Sequence, residues 1–186
     1  MDHYKSNLVW IDLEMTGLNP EQDTILEIAT VITTNELDII EEGPSFMIHQ
    51  SDETLALMDD WNTKHHTESG LVQGVRNSTV TMEQAEQETL QFIALHTERR
   101  AAPLCGNSVW QDRIFLKKYM PRIIDILHYR IIDISSIKEL AKRWFKQSSH
   151  THFAKPEEHR AHQDIILSIE ELKHYRKYFF ISGQDR

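Results

Sequence analysis

The chain has 186 residues, enough for one domain with a real hydrophobic core, and its 40% hydrophobic and 26% charged content is that of a globular protein. The formal charge of -9 opposes a grip on long nucleic acid, long duplex DNA included, and leaves room for a very short one held by a few contacts and metal ions. No apolar run approaches a membrane span, residues 1–5 lack the basic-then-apolar pattern of a leader, and the single cysteine, Cys105, cannot form an internal disulfide. A cytoplasmic, reducing setting with no membrane partner is therefore expected.

Leu8, Val9, Trp10 and Ile11 form a short run of β-formers that predicts a buried strand, and Asp12 and Glu14 follow at its end. Thr16-Gly17 suits a chain leaving the sheet. Residues 24–34 predict a second strand, and residues 37–40 with 44–49 a third, interrupted near Gly43-Pro44. Short turns between them predict an antiparallel meander. Residues 51–80 read as less regular, with one short helix around Leu55, Leu57, Met58 and Trp61 and turns at Ser69-Gly70 and Asn77-Ser78. Thr81, with Gln84 three residues on, forms a capping box for a helix whose apolar face is Met82, Ala85, Phe92 and Ile93. Residues 102–106 predict a short strand. A helix over about 110–119 follows, Pro121 breaks it, and a second piece runs to about 127. Residues 130–134 predict another strand, Ser135 or Ser136 caps a helix through Phe145, and 146–158 read as an exposed loop. Ile165, Ile166, Ile169, Leu172 and Tyr175 have helical spacing and place a last helix over about 160–178. Trp10 and Trp144 are expected in the core. The pattern predicts an α/β fold: a mixed central sheet of about five strands, antiparallel meander first, flanked by helices, in a single domain over 1–186 with its core over about 8–178.

The acids recur at the ends of these elements. Residues i and i+2 of a strand share a face, so Asp12 and Glu14 repel one another unless a positive group, most simply a divalent metal, sits between them. A strand end surfacing into water would show the same pair. Asp112 starts a helix and Asp164 lies early in the last one, where the helix dipole alone also favours an acid. Taken in order, Asp-x-Glu, then Asp, then His-x4-Asp (His159 to Asp164) place four carboxylates where active sites of open α/β sheets gather. Four such groups can bind two Mg²⁺ or Mn²⁺ ions roughly 4 Å apart, which activate a water and stabilise the leaving oxygen of a phosphodiester. A histidine near the last acid has the right proton affinity for a general base.

The stretches Asp12-Leu13-Glu14-Met15-Thr16-Gly17-Leu18, Gly106-Asn107-Ser108-Val109-Trp110-Gln111-Asp112-Arg113 and His159-Arg160-Ala161-His162-Gln163-Asp164-Ile165 resemble the three exonuclease motifs of the DEDDh family, over residues 8–178 or so. The resemblance is closest to the branch that acts on very short RNA. It implies an RNase H-like fold, a homodimer, and 3′→5′ hydrolysis of short RNA, dinucleotides above all, to mononucleotides. By matching position, Asp12, Glu14, Asp112 and Asp164 would hold the two metals and His159 would activate the water. Leu18 would wedge between two bases, Trp61 would stack on one, and His66 falls on the matching site beside it. Ser108, Arg130 and Ser135 would cap the 5′ phosphate, with Tyr129 reaching in from the partner subunit. Such a cap leaves no room for a longer chain. His162 is an extra histidine two residues before Asp164 and a competing base, although the His-x4-Asp spacing favours His159.

Other readings stand beside these. His150 and His152 suit a solvated loop better than a metal site, because no third ligand is near in sequence. Cys105 suits inert strand packing. An exonuclease acting on longer DNA or RNA would use the same acids, and a dimeric nucleotide-binding protein without catalysis would keep the fold but gain nothing from repelling carboxylates.

Overall fold

The apolar, β-branched runs form the centre of the molecule. In the computed structural model, which describes residues 7–154 and 160–180, Leu8–Met15 (β1), Ile25–Thr33 (β2) and Ile39–Met47 (β3) make the expected antiparallel meander. Leu104–Gly106 (β4) and Ile131–Asp133 (β5) add parallel to β1, giving the sheet order β3-β2-β1-β4-β5. β1 is thus the seam at which antiparallel pairing gives way to parallel. The interruption near Gly43-Pro44 is a bulge rather than a break. Four residues of β3, Glu42 to Ser45, pass opposite three of β2, Val31 to Ala29. A Cβ on Gly43 would stand 2.3 Å from the Phe92 ring, so glycine is needed where the helix side chain crosses the strand.

Eight helices surround the sheet among the described residues: Asp52–Leu55 (α1), Asp60–Glu68 (α2), Leu71–Asn77 (α3), Met82–His96 (α4), Val109–Tyr119 (α5), Pro121–Ile126 (α6), Ile134–Trp144 (α7) and Ala161–Phe179 (α8). Period-two alternation sorts β1 between two cores. Val9, Ile11 and Leu13 pack with Ala85 and Ile93 of α4, Phe115 and Leu116 of α5 and Ile123 of α6. Leu8 and Trp10 face the other way, with Ala29 and Val31 of β2, against Ile165, Ile169, Leu172 and Tyr175 of α8. Trp10 is fully buried there and donates its indole N–H to Thr33 Oγ1 at 2.9 Å. Burial of each large side chain contributes roughly 1.5–3 kcal/mol, so these two faces supply most of what holds the acids in place.

The structure corrects three readings. Residues 51–80 hold three helices, not one. Leu55, Leu71, Val72 and Val75 pack under Leu26, while α2 has only His66 buried and shows no apolar stripe. Asp59 starts α2 by accepting the Asn62 N–H at 2.7 Å. The cap of α7 is Asp133, which accepts from Ser135 N–H at 3.2 Å and from the Ser136 hydroxyl at 2.6 Å, so Ser135 and Ser136 lie inside the first turn. Trp144 is 70% exposed, and it is the half-exposed Phe145 that meets α8, its ring centre 4.6 Å from that of Phe179.

Candidate active site

The alternation that sends Trp10 toward α8 sends Asp12 and Glu14 the same way, one and two steps further along the strand. Glu14 faces Glu27 across the β1–β2 pair. Along this face the lining therefore changes from Leu8, Trp10, Ala29 and Val31 to carboxylates, and it does so where α8 begins. Asp164 stands in the first turn of α8. One carboxylate oxygen from each of Asp12, Glu14 and Asp164 lies within 4.8 Å of the other two. Burial raises the Asp12 carboxyl well above its usual range, and the charges of Asp112, Glu14, Asp164 and Glu27 add to it. Burial, then Asp164, Glu27 and Asp112, pushes Glu14 up to about 8, against the pull of Arg160. An oxygen-only donor set held together against its own repulsion fits a divalent cation of the hard class.

Asp112 stands beside this triangle on α5. It is 6% exposed, and its Oδ1 accepts the Leu13 N–H at 3.0 Å. That N–H belongs to β1 beyond the last residue paired with β4, so the carboxylate occupies a backbone site the short parallel strand leaves open. Burial pushes Asp112 up to about 7, although its hydrogen bonds to backbone N–H groups oppose the shift. His159 lies outside the described residues. His162, the competing base, is engaged elsewhere: its Nε2 lies 2.9 Å from Glu42 Oε2 on the edge strand.

Two supports for the acids were not anticipated. Glu27, 1% exposed, accepts from Arg160 Nη2 at 2.7 Å, from Arg160 Nε at 3.2 Å and from the Ala161 N–H at 3.3 Å. It thereby caps α8 from the neighbouring strand and fixes the turn that presents Asp164. A lone acid within the apolar run of β2 was its signal in the sequence. His66, expected beside the substrate, is 2% exposed and lies under the site: Nε2 donates to Met15 O at 2.9 Å, and Nδ1 stands 3.9 Å from Glu14 Oε2.

A groove of about 640 Å³ opens next to Glu14, lined among others by Leu13, Gly17, Leu18, Asn19, Leu57, Trp61 and Asn62. The structure thus brings Leu18, 70% exposed, and Trp61, 56% exposed, to one groove with Glu14. Gln111 donates to the Leu18 carbonyl at 2.7 Å and ties that turn to the start of α5. Ser108 and Ser135 meet at the ends of β4 and β5, with their hydroxyl oxygens 3.0 Å apart. Tyr129 and Arg130 precede β5, at its other end from Ser135, so within the chain they stand apart from the two serines; Tyr129 is exposed, and the Arg130 guanidinium lies over its ring, 5.3 Å from the centre.

An exonuclease family model, RNase_T, matches residues 9–172. An oligoribonuclease of Coxiella burnetii is 52% identical over 178 residues, covering 96% of this chain and 97% of that protein. One of Pseudomonas syringae pv. syringae is 54% identical over 175 residues, 94% and 97% of the two chains. The chain belongs to the oligoribonuclease family. It is accordingly a metal-dependent nuclease, a hydrolase of phosphodiester bonds. Among solved structures, Escherichia coli exonuclease I in complex with an oligonucleotide superposes with a TM-score of 0.71 at 16% identity, over 94% of this chain and 41% of that one. Exonuclease I of Methylocaldum szegediense gives 0.68 at 14% identity, again over 94% and 41%. The chain spans about two-fifths of the length of these structures, and the likeness is one of fold: the mixed five-stranded sheet is the RNase H-like sheet that the motifs implied.

Proposed function

We propose that the chain is a 3′→5′ exoribonuclease for very short RNA, above all 5′-phosphorylated dinucleotides, and that it releases nucleoside 5′-monophosphates. The observation that carries this reading is the convergence of Asp12, Glu14 and Asp164, with Asp112 beside them, at the head of a groove walled by Leu18 and Trp61. Asp12, Glu14, Asp112 and Asp164 would hold two divalent ions, Mg²⁺ or Mn²⁺, which supply acidification of a water and charge neutralisation at the scissile phosphate. Around them, the residues of the chain orient the substrate and move the proton. His159 accepts a proton from the attacking water, the water oxygen bonds to phosphorus, and the bond to the 3′ oxygen of the preceding nucleotide breaks. Leu18 inserts between the two bases and Trp61 stacks on one, which holds a flexible dinucleotide in register. Ser108, Arg130 and Ser135 cap the 5′ phosphate. The partner subunit's Tyr129 completes the cap, so the working form is a homodimer, a single exonuclease domain per chain, in the cytoplasm.

The reading against longer substrates rests on charge. A surface of net -9 repels a long polyanion, whereas a dinucleotide is held by the metal site and the cap alone. Hydrolysis of 5′-phosphorylated RNA of two, three, five and ten nucleotides, with Mg²⁺ or Mn²⁺ and with EDTA, tests it. The dinucleotide is expected to be cleaved fastest and EDTA to stop the reaction. Rates that rise with length would make this a general exonuclease and dismiss the cap, and absence of metal-dependent turnover would leave only a nucleotide-binding protein.

A further inference from the structure

The two serines assigned to the phosphate cap are the outer end of a buried polar chain that runs back to the helix carrying Asp164. Its innermost member is Glu171 on α8, fully buried, whose Oε1 accepts from the Tyr175 hydroxyl at 3.0 Å and faces Lys138 Nζ at 3.4 Å. Its Oε2 faces Asn107 Nδ2 at 3.1 Å. A carboxylate ringed by donors only accepts, so the amide of Asn107 has one orientation: NH₂ toward Glu171, carbonyl away from it. The same NH₂ donates to Ser168 Oγ at 2.7 Å, and Ser168 in turn donates to the Asp164 carbonyl at 2.7 Å.

The orientation of that amide dictates the serines. Asn107 Oδ1 accepts the Ser135 hydroxyl at 3.1 Å. With its proton committed inward, Ser135 Oγ is left as an acceptor, and it takes both the Ser108 N–H and the Ser108 hydroxyl at 3.0 Å. These bonds hold Ser108 in a left-handed conformation, φ 49° and ψ 30°, which a side chain adopts only with local support. Of the two hydroxyl protons, only that of Ser108 has a choice of acceptor. It rests on Ser135 and is the one able to turn to a phosphate oxygen.

We propose that Asn107 is a positioning residue that sets the preference for a 5′-phosphorylated end, by fixing the donor direction of Ser135 and the backbone of Ser108 relative to the helix that carries Asp164. This rests on the reading of Ser108 and Ser135 as the phosphate cap. Because Ser168 and Glu171 sit on α8 and Asn107 on the β4–α5 turn, the spacing between the 5′ end and the metal acids is set by direct hydrogen bonds.

The test is the ratio of kcat/KM for a 5′-phosphorylated dinucleotide to that for its 5′-hydroxyl counterpart, in the full-length enzyme with Mn²⁺. It is measured for the wild type, Ser135→Ala, Asn107→Leu and Glu171→Gln. Leucine keeps asparagine's branched outline, with bulkier methyl groups, and removes both polar ends. Glutamine at position 171 can donate as well as accept, so the Asn107 amide is freed to turn over without loss of shape. The wild type is expected to prefer the phosphorylated substrate, Ser135→Ala to lose that preference, and Asn107→Leu to lower the ratio about tenfold, the worth of one oriented hydrogen bond to a charged group. Glu171→Gln is expected to shift it the same way by less. If Asn107→Leu does not fold, Glu171→Gln decides the matter. Folded variants that keep the wild-type ratio, or that slow both substrates by one common factor, overturn the role of Asn107. A wild type that does not distinguish the two substrates overturns the cap reading itself.

Discussion

Glu14 provides a measurement in which loss of activity and gain of stability are expected together. Its carboxyl moves from an ordinary 4.5 to about 8 on folding, chiefly through burial and then through Asp164, Glu27 and Asp112. The folded metal-free protein therefore holds a proton there that the unfolded chain has released, at any pH between those values. Stability is highest below about pH 4.5 and falls as pH rises toward 8, because the unfolded state binds fewer protons across that window. At pH 7 the loss at this one side chain is roughly 3 kcal/mol, from 1.36 kcal/mol per pH step. For a domain of this size that corresponds to roughly 6–12 °C in melting temperature. Glu14→Gln removes the titration while keeping the shape. In thermal melts of EDTA-treated protein from about pH 5 to pH 8, the wild type is expected to lose stability as pH rises, and Glu14→Gln to lose less and to melt higher at pH 7. Added Mn²⁺ is expected to raise the wild type most at the alkaline end, since the cation binds the deprotonated carboxylate, and to leave Glu14→Gln little changed. A wild-type profile that is flat or rises with pH, or a Glu14→Gln protein that melts no higher than the wild type at pH 7, would refute the reasoning.

Asp12→Asn and Asp112→Asn are each expected to abolish hydrolysis with the fold retained, the latter because an amide oxygen still accepts the Leu13 N–H; turnover by both would defeat the metal-site assignment. Glu27→Gln breaks the ionic cap on Arg160 and Ala161 and is expected to cost about 2 kcal/mol in urea unfolding, discounted for the partial exposure of Arg160. Its turnover is expected to fall as well, and an unchanged rate would mean that the turn carrying Asp164 needs no such support. Leu18→Ala and Trp61→Ala are expected to raise KM for a dinucleotide about tenfold each with melting temperature unaltered, both side chains being exposed; an unchanged KM would remove them from the substrate groove. Cys105, buried, with its thiol raised far above the usual range by desolvation, is expected to resist alkylation until the protein is denatured, which a mass measurement before and after unfolding checks.

What the sequence disclosed followed the strength of local periodicity. β1 and its two acids were legible because a period of two is unambiguous once Leu8–Ile11 names the strand. The capping box at Thr81 and Gln84 was legible because it is a local chemical signature, and both of its bonds are present. α2 escaped because it is polar all round: it is placed by Asp59 at its start and by His66 reaching under Glu14, and neither writes a pattern into nine residues. The cap of α7 was misplaced by two or three residues because Asp133, Ser135 and Ser136, with one apolar position after the first, all have capping side chains, and tertiary pairing of β5 with β4 decides among them. Of the site, the acids were legible as an ordered set. Glu27, Asn107 and Glu171 were not, since each acts on a residue more than sixty positions away or through a neighbour, and such distances exist only in the fold. His159 falls outside the described residues, so its place rests on the motif spacing.

The position of the site follows from the seam in the sheet. β1 is paired along its whole length with antiparallel β2 but only at Val9 and Trp10 with parallel β4. Beyond Trp10 the β4 side of β1 is open, and this is where Asp112 enters to accept the Leu13 N–H. The parallel strands β4 and β5 end at the same level, so Asn107, Ser108 and Ser135 emerge beside the acids. A doubly wound sheet leaves its crevice at such a reversal. Here the crevice holds carboxylates whose mutual repulsion works against folding, and the two apolar faces of β1 and β2 hold them in place regardless. A binding module gains nothing from that repulsion. An enzyme that must hold cations between its acids and a phosphodiester does, because the burial and like charge that raise Glu14 toward 8 are both offset when positive charge enters.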